Sequence, residues 1–463
     1  MLTKKKSEIH IYIKNFYLVL LAFVILFGRS FTGLYIFNYR IGEYLILLCL
    51  LISIFILFLP YDRLPVKFDK LNFYILKAIV FHFFLTVLLT SGSFLNTYTF
   101  KSSSYIWTFS FLYIGLFIMK DLNDNWFVRM VPFFLPLLYI LSTIRFPKII
   151  MEFFINNSDK FDFVKASDLL VIYIATNYIL RIYYKNSIKD FSYYLISSAI
   201  YLPYLLYKSK GAFFPAVLFI IFNLLFYFSF IKNNKLKTIL LLLICIPLFF
   251  ISSFYIYGNF NFTKVGEENY DQLGVDKPLS ASTIQENLNS LVNEKNTGDI
   301  FYSFFIMDGR LYSQEMMANW RLQIWQDVAR DLFYYSDYTE DDRSYLVRIE
   351  GERRNDIFYK GFGYNEKLPA MNHWERSGSD GTNENPHNFI IYSLGRGGVL
   401  QPLLVTIFHL SILLYWYKKY RNINILLYIT PVLMTSFFDA SMESVRFPFV
   451  YYSFLGLILN EKI

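Results

Sequence analysis

Residues 383–400 read NENPHNFIIYSLGRGGVL, and the change of character inside that stretch decides the fold. Polar and acidic residues run up to His387 and Asn388, and the chain turns apolar at Phe389. A chain leaving water for hydrocarbon presents such a border. The same alternation repeats along the sequence. Apolar runs of roughly 16 to 22 residues recur, the length that crosses about 30 Å of hydrocarbon. Composition agrees: 55% of the 463 residues are hydrophobic, and Phe and Tyr alone number 51 and 39. The sequence therefore predicts an all-α polytopic membrane protein.

Twelve transmembrane helices are expected, near 15–33, 41–60, 71–90, 103–119, 128–144, 168–184, 191–207, 211–231, 238–257, 388–416, 424–438 and 447–459. The first follows a lysine-rich start, MLTKKK, and is read as a retained span because no small-residue cleavage pattern follows it. Basic residues test the count through the positive-inside rule. With the N-terminus inside, Lys4, Lys5 and Lys6, then Arg63, Lys67 and Lys70, then Lys232, Lys235 and Lys237, then Lys418, Lys419 and Arg421 all fall on one side. The segment 145–168, with Arg145, Lys148, Lys160 and Lys165, is the exception. Both termini are thus expected in the cytoplasm. Cys49 and Cys245 lie inside apolar runs, which argues against a disulfide framework or a thiolate metal site.

The chain divides into a first bundle (1–257, spans 1–9), a large outer loop (258–387) and a closing set of spans (388–463, spans 10–12). The loop holds 13 Lys or Arg against 22 Asp or Glu, so it is net −9 in a chain of net +8. The overall positive charge therefore reports topology and is no footprint of nucleic acid. Within the loop, NWRLQIWQDVARDLF (319–333) has helical periodicity, with Trp325, Val328 and Leu332 on one stripe. A charge-rich stretch and the glycine turn KGFGYN (360–365) follow. The loop is expected to be a partly helical cap. Its acidic clusters, TEDDR and SDGTNEN, lack the ligand spacing of a calcium loop.

The border itself has chemistry. Asn385 suits an N-cap and Pro386 the first helical position, which puts His387 and Asn388 in the first turn. The positive end of a helix disfavours imidazolium, so His387 is expected to stay neutral, the state a general base needs. The alternative is an interfacial histidine that only bonds a cap or a headgroup. Ser209 is a second possible N-cap, with Lys210 and Gly211 opening the eighth span. Free N–H groups beside a lysine form an anion site, unless the lysine simply snorkels to headgroups. Arg321 heads the apolar stripe of the loop helix and is either paired internally or aimed at a ligand.

Other polar residues have plainer readings. Asp439, Glu443 and Arg446 suggest a local ion pair, and Arg396, about 180° around the helix from His387, suggests packing or headgroup contact. The ionisable residues inside spans are Lys77, His82, Arg181 and His409, few for a transporter or lipid-glycan flippase.

Taken together, PHNFIIYSLGRGGVL, the preceding NWRLQIW and KGFGYN, SKG at 209–211, and the closing SFFDASMESVRFPFVYYSFLGLIL carry a resemblance. Over about residues 205–460 the chain resembles the O-antigen ligase and polymerase superfamily of bacterial envelope glycosyltransferases. The resemblance implies a multi-pass protein of the bacterial inner membrane, with its active site facing the periplasm. It implies a metal-independent enzyme without cofactor that moves a glycan from an undecaprenyl-diphosphate carrier to a hydroxyl of lipid A-core or of a growing glycan. His387 would then act on the acceptor hydroxyl, Arg321 and Lys210 would hold the diphosphate, and Asn388, Ser209 and Gly211 would support them. Where family members commonly carry Ser-Arg-Gly this chain has Ser-Lys-Gly, and lysine lacks the bidentate fork. Ligase and polymerase share donor and base, so both readings stay open.

Overall fold

The computed structural model describes residues 2–64, 68–118, 126–144, 147–159, 164–184, 187–257, 304–307, 309–313, 316–340, 346–373, 376 and 383–460. Helices dominate. The first bundle contains α1 (Leu2–Thr32), α2 (Ile41–Phe58), α3 (Lys70–Leu89), α4 (Thr97–Ser102), α5 (Ser104–Thr108), α6 (Phe111–Ile118) and α7 (Trp126–Tyr139). It continues with α8 (Lys148–Asn157), α9 (Ala166–Tyr184), α10 (Ile188–Lys208), α11 (Lys210–Phe226), α12 (Phe228–Asn233) and α13 (Lys235–Tyr257). A short hairpin, β1 (Tyr35–Ile36) and β2 (Tyr39–Arg40), joins α1 to α2. Five helical segments are long and apolar enough to cross a membrane: Ile11–Thr32, Ile41–Phe58, Lys70–Leu89, Lys235–Ile256 and Leu400–Tyr420. Several shorter apolar helices pack among them. The chain is a helical, multi-pass membrane protein.

Bundle contacts follow membrane rules, in which close backbones and polar ties replace a hydrophobic drive. Asn72 of α3 donates to Ser411 Oγ at 2.8 Å and accepts from Tyr113 Oη at 2.8 Å, tying three helices. Gly115 of α6 lies so close to the closing helix that an added Cβ would stand 3.1 Å from Ser453 Cα.

Among its described residues, the segment between α13 and the closing helices contains two antiparallel hairpins and a central helix. The hairpins are β3 (Phe304–Met307) with β4 (Arg310–Ser313), and β5 (Tyr334–Glu340) with β6 (Leu346–Arg353). Between them runs α14 (Met316–Asp331), followed later by the short α15 (Asp356–Lys360). Among the described residues a helix stands where the periodicity predicts one, and the described parts of the charge-rich stretch lie mainly in β5 and β6. The reason for the miss is an inverted hairpin. Arg348 faces in, where its Nε meets the buried Asp331 at 3.0 Å, while Ile349 faces water.

The closing region differs from one expected span. In place of a continuous helix over 388–416 there are α16 (Phe389–Gly397) and α17 (Leu400–Tyr420), broken at Gly398, whose φ is 62°. Only glycine enters that region without cost, and an added Cβ would strike the Tyr359 carbonyl. The KGFGYN turn clamps this break. Phe362 N donates to Gly395 O at 2.8 Å, Gly363 N to Arg396 O at 3.0 Å, and Val399 N to Phe358 O at 2.9 Å. Arg396, fully buried, donates to the carbonyls of Gly363 and Glu366 and to Tyr98 Oη. Its role is packing. The chain ends in α18 (Leu426–Ser436) and α19 (Arg446–Asn460), with residues 461–463 outside the described set.

Candidate active site

Helix α14 builds one wall of the site. Ile324, Val328 and Leu332 form its buried stripe, which packs toward α16 and the turn at Pro369–Met371. Gln323 and Gln326 bond the backbone of Leu311 and so fix β4 on the neighbouring face. Asp327 is buried between Arg310 (2.8 Å) and Arg376 (2.6 Å). With the helix held on these sides, its first turns deliver three residues to the border. The Trp325 indole donates to Pro386 O at 2.6 Å. The Trp320 ring meets the His387 ring edge-on at 5.7 Å. Arg321 Nη1 donates to Phe438 O at 2.7 Å, while its buried Nε has no hydrogen-bond partner.

The border turn differs from the expected cap. Asn388 is the N-cap, and its side chain accepts from Ile391 N at 3.0 Å, so the helix starts at Phe389. Asn385 instead closes a local turn, accepting from His387 N at 2.8 Å. An Asx turn competes with a cap for the same carboxamide, and here it has won. His387 therefore sits just outside the helix with φ 55°, a left-handed backbone. For a residue other than glycine this costs on the order of 1–3 kcal/mol and persists only where surroundings over-determine it. The Trp325 bond, the Asn385 turn and the Asn388 cap do so.

Electrostatics at His387 follow from this placement. Its Nδ1 is buried without a partner. Burial first, and the Arg321 guanidinium second, push the imidazole down to about 4, with Asp439 opposing. The ring is neutral at physiological pH.

A second wall is the loop between α18 and α19. Phe438, which accepts from Arg321, also touches the start of α11: a Cβ at Gly211 would come within 2.8 Å of Phe438 Cβ. Ser209 occupies the N-cap with extended backbone but makes no side-chain cap bond. Ala212 N and Phe213 N donate to Ser209 O at 3.0 Å, so the N–H groups ahead of the first helical bond are those of Lys210 and Gly211, beside Arg321's own partner. The Lys210 backbone opens this helix, and its side chain lies outside the described residues. Helix α11 thus joins His387 and Arg321 through a single loop.

The same loop holds Glu443, which the sequence places in a local ion pair with Asp439 and Arg446. Arg446 pairs with Asp168 of α9 at 2.8 Å, not with Asp439 or Glu443, which stand outside any helix. The local ion pair expected there does not form. Glu443 is left with both carboxyl oxygens buried and no hydrogen bond of full geometry, and burial pushes its carboxyl up to about 8. Its neighbours in sequence, Asp439 and Arg446, gave no sign of this.

Beside the site opens an apolar groove of about 520 Å³ between α17 and α18, lined by Phe389, Val405, Leu413, Ile429, Leu433 and Phe438 among others. Two of these residues flank the polar site directly, since Phe389 follows Asn388 and Phe438 accepts from Arg321. The ionisable residues inside the helices have internal partners. Lys77 donates to Leu59 O at 2.8 Å, His82 bonds Gln401 at 2.6 Å, Arg181 stacks on Phe226 at 4.7 Å, and His409 Nδ1 lies 2.9 Å from Val405 O. Among the described residues no cluster of three or more His, Cys, Asp or Glu is placed to hold a metal. No family model matches the chain, and no curated protein matches it.

Proposed function

We propose that this protein is an envelope glycosyltransferase of the O-antigen ligase or polymerase type. It takes a glycan from an undecaprenyl-diphosphate carrier and joins it to a hydroxyl of lipid A-core or a growing glycan. The reading that goes with it has twelve spans in the bacterial inner membrane, both termini in the cytoplasm and the site at the periplasmic face. One observation carries the proposal. A neutral histidine, a guanidinium with a free N–H and an open helix start converge at the mouth of an apolar groove. That is the combination an amphiphilic diphosphate donor asks for. Cations and N–H groups meet the phosphates, and an apolar channel takes the chain next to them.

In this reading Arg321 and the α11 N-terminus, with Lys210, hold the diphosphate and stabilise it as it leaves. His387 accepts the proton of the attacking hydroxyl. The diphosphate beside Arg321 supplies negative charge near the ring, which strengthens His387 as a base at the moment it is needed. The in-span ionisable residues, each bonded internally, weigh against a flippase. The test uses purified protein and a lipid-linked donor, with binding and turnover measured separately. His387→Ala is expected to lose roughly 10²–10⁴ in turnover and keep donor binding. Wild-type turnover in that variant would refute the role of His387.

A further inference from the structure

Helix α8 (Lys148–Asn157) takes no part in the chemistry above, and its sides differ sharply. At about 100° per residue, its positions divide into sectors. Met151 and Phe154 make the packed one. They are buried with Leu141 against Phe27, Phe31 and Leu34, and the Phe27 and Phe154 rings stand 5.1 Å apart. Lys148 and Glu152, 3.7 Å from each other, make a charged one. Between the two lies an apolar sector turned away from the protein, with Ile149 81% and Phe153 51% exposed. The end of α8 is tied to the β1–β2 hairpin. Asp159 N donates to Gly33 O at 3.0 Å, and the Asp159 carboxylate accepts from Arg40 at 3.1 Å and from Tyr35 Oη at 3.2 Å. The hairpin turns through Phe37 and Asn38, both left-handed, with φ 48° and 69°. Phenylalanine is costly in that region, yet Phe37 is 89% exposed, next to exposed Tyr35, Ile36 and Tyr39.

We propose that α8 and the β1–β2 hairpin form an interfacial ledge whose occupant is the bilayer itself. Ile149, Phe153 and Phe37 seat at the boundary of acyl chains and headgroups, and Lys148 and Glu152 lie among the headgroups. Position carries this assignment. Phe27 and Phe31 belong to the last two turns of Ile11–Thr32, a segment long and apolar enough to cross a membrane, so α8 lies across the end of a span. Phe23, one turn earlier, is exposed on that span, and its ring meets Phe27 at 6.0 Å and stacks on Phe31 at 5.3 Å. An apolar surface therefore continues from the exposed side of the span onto α8. The hairpin joins that span to a second, Ile41–Phe58. With 10 residues α8 covers about 15 Å and cannot cross roughly 30 Å of hydrocarbon. An apolar sector bordered by a charged one suits a helix lying in the interface plane, and tyrosines such as Tyr35 and Tyr39 are enriched at that depth. Helix α1 also links the ledge to the candidate site. Gly28, beside Phe27, lies against the Asp168–Arg446 pair, where an added Cβ would stand 3.7 Å from Asp168 Oδ2 and 3.9 Å from Arg446 Cδ. The ledge thus fixes the depth of the site in the leaflet. It stands whether or not the protein transfers glycans.

The test uses the full chain in phosphatidylcholine nanodiscs, with Cys49 and Cys245 replaced by alanine and a nitroxide label on one introduced cysteine at a time. The labelled variants are Ile149→Cys, Phe153→Cys, Phe37→Cys and, as the reference in the charged sector, Lys148→Cys. All four positions are exposed, so the labels should leave the fold intact. Electron paramagnetic resonance then compares collisions with oxygen, which concentrates among acyl chains, against collisions with a water-soluble nickel chelate. The oxygen-to-nickel ratio is expected to be several-fold higher at 149, 153 and 37 than at 148. A ratio at any of the three no higher than at 148 would place that surface in water and overturn the ledge. Shielding of the three from both reagents would mean that protein covers them, a second copy or another part of this chain, and would overturn it as well. No donor lipid is present, so the result is separate from the fate of His387 as a base.

Discussion

At His387 the imidazole and the Arg321 guanidinium share a small, partly dry space, and each alters what the other can do. Because Arg321 helps depress the histidine, its removal is expected to raise the His387 pKa from about 4 toward the ordinary value. In a profile of kcat/KM against pH the wild type should lose activity only as pH falls toward 4. The acid limb of Arg321→Ala should lie at higher pH, and an unmoved limb would separate the two groups. The same variant should bind a diphosphate-linked donor at least about tenfold less tightly, since a charge-assisted hydrogen bond contributes roughly 1.5–3 kcal/mol. Arg321→Lys should recover only part of it. Glu443 has the opposite pH linkage. Its folded pKa is raised to about 8 by burial. Its protonated form therefore adds stability that is fully present below about 4.5, the ordinary range of a glutamate, and is lost as pH rises through 8. Glu443→Gln should accordingly gain in melting temperature over wild type as pH is raised across that window. A gain that does not vary with pH would contradict the buried, protonated carboxyl.

Among the elements, α14 shows what the sequence discloses and what it hides. Its helical period and the stripe through Val328 and Leu332 were readable, because apolar residues three and four apart have no other economical arrangement. The buried charges of its other side were not. Asp327 and Asp331 look like a solvated face until Arg310, Arg376 and Arg348 are brought to them by chain segments distant in sequence. Asp327→Ala strands Arg310 and Arg376, and breaking a buried pair of this kind costs about 3–5 kcal/mol. The expected readout is rapid proteolytic nicking in the outer segment, with the bundle helices intact. Wild-type resistance would mean that the arginines find other partners. The border was legible in the same partial way. Histidine, asparagine and the onset of hydrocarbon were visible, but which asparagine caps the helix depended on a contest between Asn385 and Asn388. Glu443 could be named from the sequence, but its burial without the Arg446 ion pair could not, because Asp168, the partner of Arg446, is far away in the chain.

For the whole molecule, the described apolar runs are helical because hydrocarbon leaves the backbone no other way to satisfy itself, but only five of the helices are long and apolar enough to cross a membrane. Sidedness is a separate matter, carried by the lysines and arginines of the connections. Reporter fusions after residues 65, 235 and 420 are expected to read cytoplasmic, and fusions within 260–380 to read periplasmic. A cytoplasmic signal from the outer segment would remove the site from the side where a lipid-linked glycan is presented. The groove between α17 and α18 connects the two scales, since an apolar tail lying there would enter from the bilayer while its head meets Arg321 and His387.

The interruption at Gly398 has a consequence for biogenesis. Helix α16 has 9 residues, so it covers about 14 Å at 1.5 Å per residue and cannot cross a bilayer by itself. It also carries Arg396, whose charge is costly in hydrocarbon by roughly 2.5–3.5 kcal/mol on insertion scales. The carbonyls and hydroxyl that satisfy this arginine come from Gly363, Glu366 and Tyr98, all of which leave the ribosome earlier. Assembly thus has a built-in order: the glycine turn at 360–365 must form before α16 can seat. A nascent chain arrested before that turn matures would hold α16 undocked, with the border at His387 not yet assembled.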